Sequence, residues 1–346
     1  MMNASDAAGQ APDAGRHGPL AGMKILELAS IGPVPFAGRI LQQMGARITI
    51  VQPPSDRGLG LPVAEEYDYL NRGKDRTSLD LKTAQGREQL MARVRDADVL
   101  LEGFRPGVLE RLSLSPDVLH QHNPRLVIGR CSGWGEQSPR APHAGHDINF
   151  LALSGALAGI GEDVPVPPLN LVGDFGGAAM HLVAGVLAAL LQRERDQRGV
   201  VVQTSIYEGA ISLMSMIYGL SDAGQWQAAR QSNILDGGAP YYRCYQTSDG
   251  KWMAVGAIEP PFFKAFIELL GLNVDLRRQN DRSYWPELRD KIAARMRTRT
   301  RDEWNAVFEN TDACCTPVLG LDECRQPGET ATFFHDGDAG PAITFR

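Results

Sequence analysis

The run from Met23 to Gln52 restricts the fold of this chain more than any other. It opens with a short apolar strand, MKILELAS, passes through a glycine and proline loop, IGPVP, and continues in PFAGRILQQMGARITIVQ as a helix and a second apolar strand. Strand, loop, helix and strand in that order make a βαβ unit, whose two strands lie parallel beneath the helix. The pattern recurs in REQLMARVRDADVLLEGF and in SPDVLHQHNPRLVIGRCSGWG, each a helix leading into a short strand. The Ala- and Leu-rich stretch from Gly176 to Gln192 is helical in composition, and GVVVQTSIYEGAISLMSMIYGL continues as a strand and a helix. Alternation of this kind predicts an α/β fold built on an open, doubly wound, Rossmann-like sheet. The first βα loop would bring backbone close to a ligand at the carboxyl end of that sheet, yet it has no GxGxxG, so the dinucleotide fingerprint is missing.

At 346 residues the chain exceeds the usual length of one domain. After Asp222 the texture turns polar and glycine-rich, with two β-rich runs around the turn TSDG and then three helical patterns, PPFFKAFIELLGL, YWPELRDKIAARMRT and RDEWNAVFENT. The expected organisation is a disordered tail over 1–18, a large α/β domain over 19–222, a smaller α+β domain over 223–321, and a C-terminal tail over 322–346.

A formal charge of −6 argues against nucleic acid or an anionic membrane as the main partner, since both require cationic surfaces. Any anionic ligand must then be met by local basic residues. The apolar run His181–Leu191 is shorter than a membrane span, so a soluble protein is expected. The five cysteines are odd in number and show no CxxC spacing, which favours reduced, buried and inert thiols in a cytoplasmic compartment. His181, within an apolar helix, reads as a core histidine. No metal motif, nucleotide-phosphate loop or flavin site appears, so no cofactor is expected.

Three segments set an ionisable residue beside glycine or proline, where a substrate could approach closely: AGHDINF (144–150), NLVGDFGGAAM (170–180) and VGAIEPPF (255–262). Taken singly, each has a plain structural reading. Asp147 suits a helix cap, Asp174 a turn, and Glu259 a surface acid before proline.

Together, GHDINFLALSGAL, PPLNLVGDFGGAAM, LDGGAPYY and DGKWMAVGAIEPPFF resemble consecutive segments of the α-methylacyl-CoA racemases, of the family III CoA-transferase superfamily. PLAGMKILELASIGPVPFAGRIL, LNRGK, LDLK, DVLLEGFRPGVLERL, NPRLVIGR and TDACCTPVL are also similar to segments of that family, so the likeness spans roughly residues 19–321. It implies the family III CoA-transferase fold and inversion of a 2-methylacyl-CoA by 1,1-proton transfer through an enolate. Such a reaction requires a base close to the C–H and stabilisation of the developing oxyanion. By resemblance His146 and Asp174 are the two acid/base groups and Glu259 is the partner of His146. The resemblance likewise implies that Asp147 starts a helix whose backbone N–H would be aimed at the thioester oxygen. A CoA-transferase using Asp174 as nucleophile is the alternative, and His146 with Glu259 favours the racemase.

The same resemblance gives CoA to Leu79, Asp80, Leu81 and Lys82, to Arg105, and to Gly145, Ile148, Asn149 and Phe150, and Arg39 is a basic candidate for its phosphates. Arg72 and Lys74 are further basic candidates. Met214 and Met216 would form an adaptable apolar surface for the acyl chain. Relatives carry an arginine just after the second strand, where this chain has Pro53, and Arg57 is a candidate replacement. The resemblance also implies an interlocked homodimer, with Glu259 reaching His146 across subunits.

Overall fold

The computed structural model describes residues 18–55, 58, 60–328 and 330–345. The expected tail therefore lies, apart from Gly18, outside the described residues, as does Arg57. The chain divides into two compact units. The first comprises residues up to 156, 168–214 and those from 340 onward; the second comprises 157–167 and 215–339.

In the first unit the chain runs β1 (Lys24–Leu28), α1 (Pro33–Gln43), β2 (Arg47–Gln52), β3 (Asp75–Ser78), α2 (Ala84–Val94) and β4 (Val99–Glu102). It continues α3 (Val108–Arg111), α4 (Pro116–His122), β5 (Val127–Ser132), α5 (Asp147–Leu153), α6 (Met180–Asp196), β6 (Val201–Ser205) and α7 (Ile206–Leu213). The six strands form one parallel sheet in the order β3-β2-β1-β4-β5-β6. The order reverses between β1 and β4, where Ile25 sits opposite both Ile48 and Val99. Open α/β sheets bind ligands beyond the carboxyl ends of the strands at such a reversal.

The central strands are apolar on both faces because helices cover both faces. Ile25, Val99, Leu101 and Val127 join the core beneath α1 and α6, while Leu26, Leu28, Leu100 and Ile128 face a second core with α2 and α4. Charged residues in such strands need partners. Glu27 of β1 meets Lys74 at 2.8 Å, and Lys74 also donates to the Pro35 carbonyl at 2.9 Å, so this pair is sealed under α1. Gly38 makes the room, since a β-carbon there would stand 2.0 Å from Glu27 Oε2.

Before α6 the helix is wound wider, as a π-helix over Leu171–Ala179. The continuous helix Leu171–Asp196 is thus longer than the apolar run expected from sequence, and meets the length and composition of a membrane span. Leu182, Val183 and Val186 are nevertheless buried in the core of the α/β unit, as in the core helix of a globular domain.

The second unit holds α8 (Ser215–Asp222), β7 (Tyr242–Gln246), β8 (Trp252–Gly256), α9 (Pro260–Leu270), α10 (Trp285–Met296), α11 (Arg301–Phe308) and β9 (Cys315–Pro317), then the short strands β10 (Phe334–His335) and β11 (Asp338–Ala339). Strands β7, β8 and β9 form an antiparallel sheet, with the TSDG turn between the first two. Its core is aromatic: Tyr241, Phe263, Phe266, Trp285, Trp304 and Phe308 are all buried.

Candidate functional site

His146 and Asp174 both belong to the long connection between β5 and β6. His146 is the N-cap of α5 and is exposed; its backbone N–H donates to Asn149 Oδ1 at 3.0 Å, which fixes the turn into the helix. The next residue turns inward. Asp147 is buried, its Oδ1 accepts the Asp174 backbone N–H at 2.7 Å, and its Oδ2 has no hydrogen-bond partner. One side chain thus ties the start of α5 to the π-helix that carries Asp174. Gly173 permits this approach, because a β-carbon there would lie 2.4 Å from Asp147 Oδ1.

Asp174 projects from the π-helix toward the switch point of the sheet. A β-carbon built on Gly32, the residue before α1, would stand 3.0 Å from Asp174 Oδ2, so glycine leaves the carboxylate its space. Gly32 also has φ 71, a conformation that favours glycine. Phe175 stacks on Phe36 of α1 with ring centroids 4.3 Å apart, which fixes the π-helix against the first βα turn. π-turns inside α-helices recur at functional positions, because they re-aim side chains that a regular helix would hold elsewhere.

Burial pushes the Asp174 carboxyl up to about 6, opposed by a hydrogen bond from Asn170 at 3.2 Å, reinforced by the Asp147 charge and opposed again by His146. Burial likewise raises Asp147, against the hydrogen bonds from the Asp174 and Gly173 backbones. A carboxyl poised near 6 beside an imidazole can exchange protons in both directions near neutral pH.

The remaining expected residues lie as follows. Leu79, Asp80, Leu81 and Lys82 follow β3 and lead into α2, at the same carboxyl edge of the sheet as Gly32 and Arg105. Leu79 is buried in the core, Asp80 accepts the Lys82 backbone N–H at 3.0 Å, and Lys82 is exposed. Arg105 is exposed and donates to the Pro142 carbonyl at 3.3 Å. Arg39 donates to the Tyr69 carbonyl. Around His146, Ile148 and Asn149 are exposed and Gly145 half-buried, but Phe150 is 1% exposed and packs edge-on against Trp134. Met214 ends α7, half-buried, and Met216 is exposed on α8. Glu259 belongs to the second unit, exposed at the N-terminus of α9 ahead of Pro260 and Pro261.

Several readings change. Lys74 is a buried structural cation, and Arg72 lies over the Tyr69 ring. His181 is exposed on α6, since its helix buries the opposite stripe. Cys131 and Cys315 are buried, as expected, whereas Cys244 and Cys314 are exposed; all five are free thiols. Sequence reasoning missed Asn170 as the Asp174 partner and missed the buried pairs of Glu27 and Glu102. Their signal was a charge inside an otherwise apolar strand.

The pattern of CoA-transferase family III matches residues 20–333. The chain is similar to the alpha-methylacyl-CoA racemase of Mus musculus, 42% identical over 93% of this chain and 84% of that protein. It is also 42% identical to the alpha-methylacyl-CoA racemase of Homo sapiens, over 88% and 78% of the two chains. Among solved structures, a protein of Mycobacterium tuberculosis superposes with a TM-score of 0.75 at 27% identity, covering 92% of this chain and 88% of that one.

Proposed function

The chain belongs to CoA-transferase family III, and from that membership we propose that it is a racemase of 2-methylacyl-CoA thioesters. Identity of 42% to two named racemases supports the reading. The observation that carries it at the site is the Asp174 carboxyl, raised to about 6 and fixed through Asp147 beside His146.

One of the two groups removes the C2 proton, and the C–H electron pair moves into a C1=C2 bond as the thioester oxygen becomes an enolate oxyanion. The other delivers a proton to the opposite face of C2, and the C=O bond re-forms. In one direction Asp174 is the base and imidazolium His146 the acid; the reverse direction exchanges the roles. The backbone N–H of Asp147, at the start of α5, is the donor toward the oxyanion. Glu259 of a second subunit favours the imidazolium form of His146 and sets its tautomer, which makes the working enzyme an interlocked homodimer. CoA lies along the carboxyl edge of the sheet, at Leu79–Lys82 and Arg105, and Met214 and Met216 carry the acyl chain. The reaction needs no cofactor in this scheme, and the enzyme works in the cytoplasm.

Incubated with a 2-methylacyl-CoA in deuterium oxide, the protein should incorporate deuterium at C2 with the thioester intact, and H146A and D174A should each abolish exchange. Transfer of CoA to an added carboxylate without exchange at C2 would establish a transferase using Asp174 as nucleophile instead.

A further inference from the structure

Arg130, near the end of β5, is a charged side chain that the proton-transfer scheme does not use. It is 8% exposed. Its Nε donates to Glu102 Oε1 at 2.7 Å, and its Nη1 lies 3.1 Å from both Glu110 Oε1 and Glu136 Oε1. These three carboxylates belong to three different segments. Glu102 ends β4, Glu110 is in α3, and Glu136 is in the loop after β5 that leads on to His146.

The first two segments bracket Gly103-Phe104-Arg105-Pro106-Gly107, the loop that carries Arg105. Glu102 enters it directly, since its Oε2 accepts the Phe104 backbone N–H at 2.7 Å. Arg105 in turn donates to the Pro142 carbonyl, on the stretch just before His146. Phe104 and Leu109 hold the apolar side of this segment, packed with the core of α2 and α4, and the charged groups hold its other side. Between the strand ends and the loops lies a cavity of about 200 Å³ lined by Glu102, Phe104, Arg130 and Glu136 among others. Where side chains do not fill the space, the charged hydrogen bonds on Arg130 set where the loops stand.

We propose that Arg130 is a positioning residue for CoA binding: by holding Glu102, Glu110 and Glu136 together it fixes the loop that presents Arg105 to the anionic end of CoA. The proposal rests on the reading of Arg105 as a CoA contact. Arg130 reaches the substrate only through that loop, and the proton-transferring groups are left as they are.

Acyl-CoA racemisation kinetics of the full-length protein test it. R105A should raise KM about tenfold, the scale of one lost charge-assisted hydrogen bond. E110Q and E136Q each remove the charge of one partner of Arg130 at a partly exposed carboxylate, so folding is spared. Each should raise KM about threefold, as for one partly exposed ion pair, with kcat within about twofold. R130K keeps the charge but cannot serve three carboxylates, and should raise KM further than either. The decisive measurement is a double-mutant cycle, in which E110Q should have no effect on KM once R105A is present. If R105A raises KM while E110Q, E136Q and R130K leave it unchanged, or if R105A and E110Q act additively, the positioning role is wrong. If R105A itself leaves KM unchanged, the CoA assignment of Arg105 falls, and the proposal with it.

Discussion

Asp174 shows how far one burial changes one residue. Its ordinary carboxyl value of 3.8 is raised to about 6, first by desolvation. The folded protein therefore binds this proton more tightly than the unfolded chain, and stability falls as pH rises from about 4 to about 6. D174N should accordingly be more stable than the wild type above pH 6, with the gain vanishing below pH 4; thermal unfolding across that range reads it. Racemisation in the direction that needs the Asp174 carboxylate should fall as pH drops through about 6. A stability gain that persists at pH 3 would mean that the side-chain change, and not the proton, is responsible. The residue itself was legible through its segment. Its environment was not, because the carboxylates that shape it, Asp147 and its own, lie 27 positions apart in sequence.

At the scale of elements, the π-helix and α7 meet backbone to backbone. A β-carbon on Gly209 would stand 2.0 Å from the Gly177 carbonyl oxygen. G209A must push the two helices apart and should cost about 1–3 kcal/mol, the range for overpacking. By contrast Gly219 of α8 has nothing within 4 Å of its would-be β-carbon, so G219A should be neutral or gain up to about 1 kcal/mol. Denaturant unfolding of the pair checks both, and equal effects would refute the packing account. Strands β1, β4 and β5 and helices α9, α10 and α11 were readable because apolar periodicity is what they bury. The π-helix was not. Its segment, LVGDFGGAA, suggests a turn at Asp174 and a helix only from Gly176, whereas the helix begins at Leu171, and Gly173 and Gly177 are where other chain segments press against it.

At the scale of the whole molecule, Glu259 belongs to the second compact unit and His146 to the first. The proposed sharing of the site between subunits makes a sharp prediction: H146A and E259A, each inactive alone, should regain about a quarter of wild-type activity when co-expressed. Half of the dimers would then be mixed, and each would hold one intact site. No recovery would place Glu259 in the same subunit as His146 or outside the mechanism. The change of texture suggests a boundary after Asp222, whereas the compact units change after Met214, so that α8 belongs to the second; the path of the chain between the units was not legible. Residues 157–167 cluster with the second unit in the middle of the first, and nothing in that glycine- and proline-containing stretch, LAGIGEDVPVP, marks the excursion.

That excursion lies in the connection from β5 to β6, the longest in the parallel sheet, which also carries His146 and Asp174. Closing a long loop is slow, and the chain before residue 132 can pair five strands with one another while β6 is still missing. On a ribosome the nascent chain therefore gains its scaffold early. The connection that carries His146 and Asp174, the pair proposed to transfer the proton, is made after those five strands and is closed only when β6 docks at the sheet edge, so scaffold precedes site in the order of synthesis.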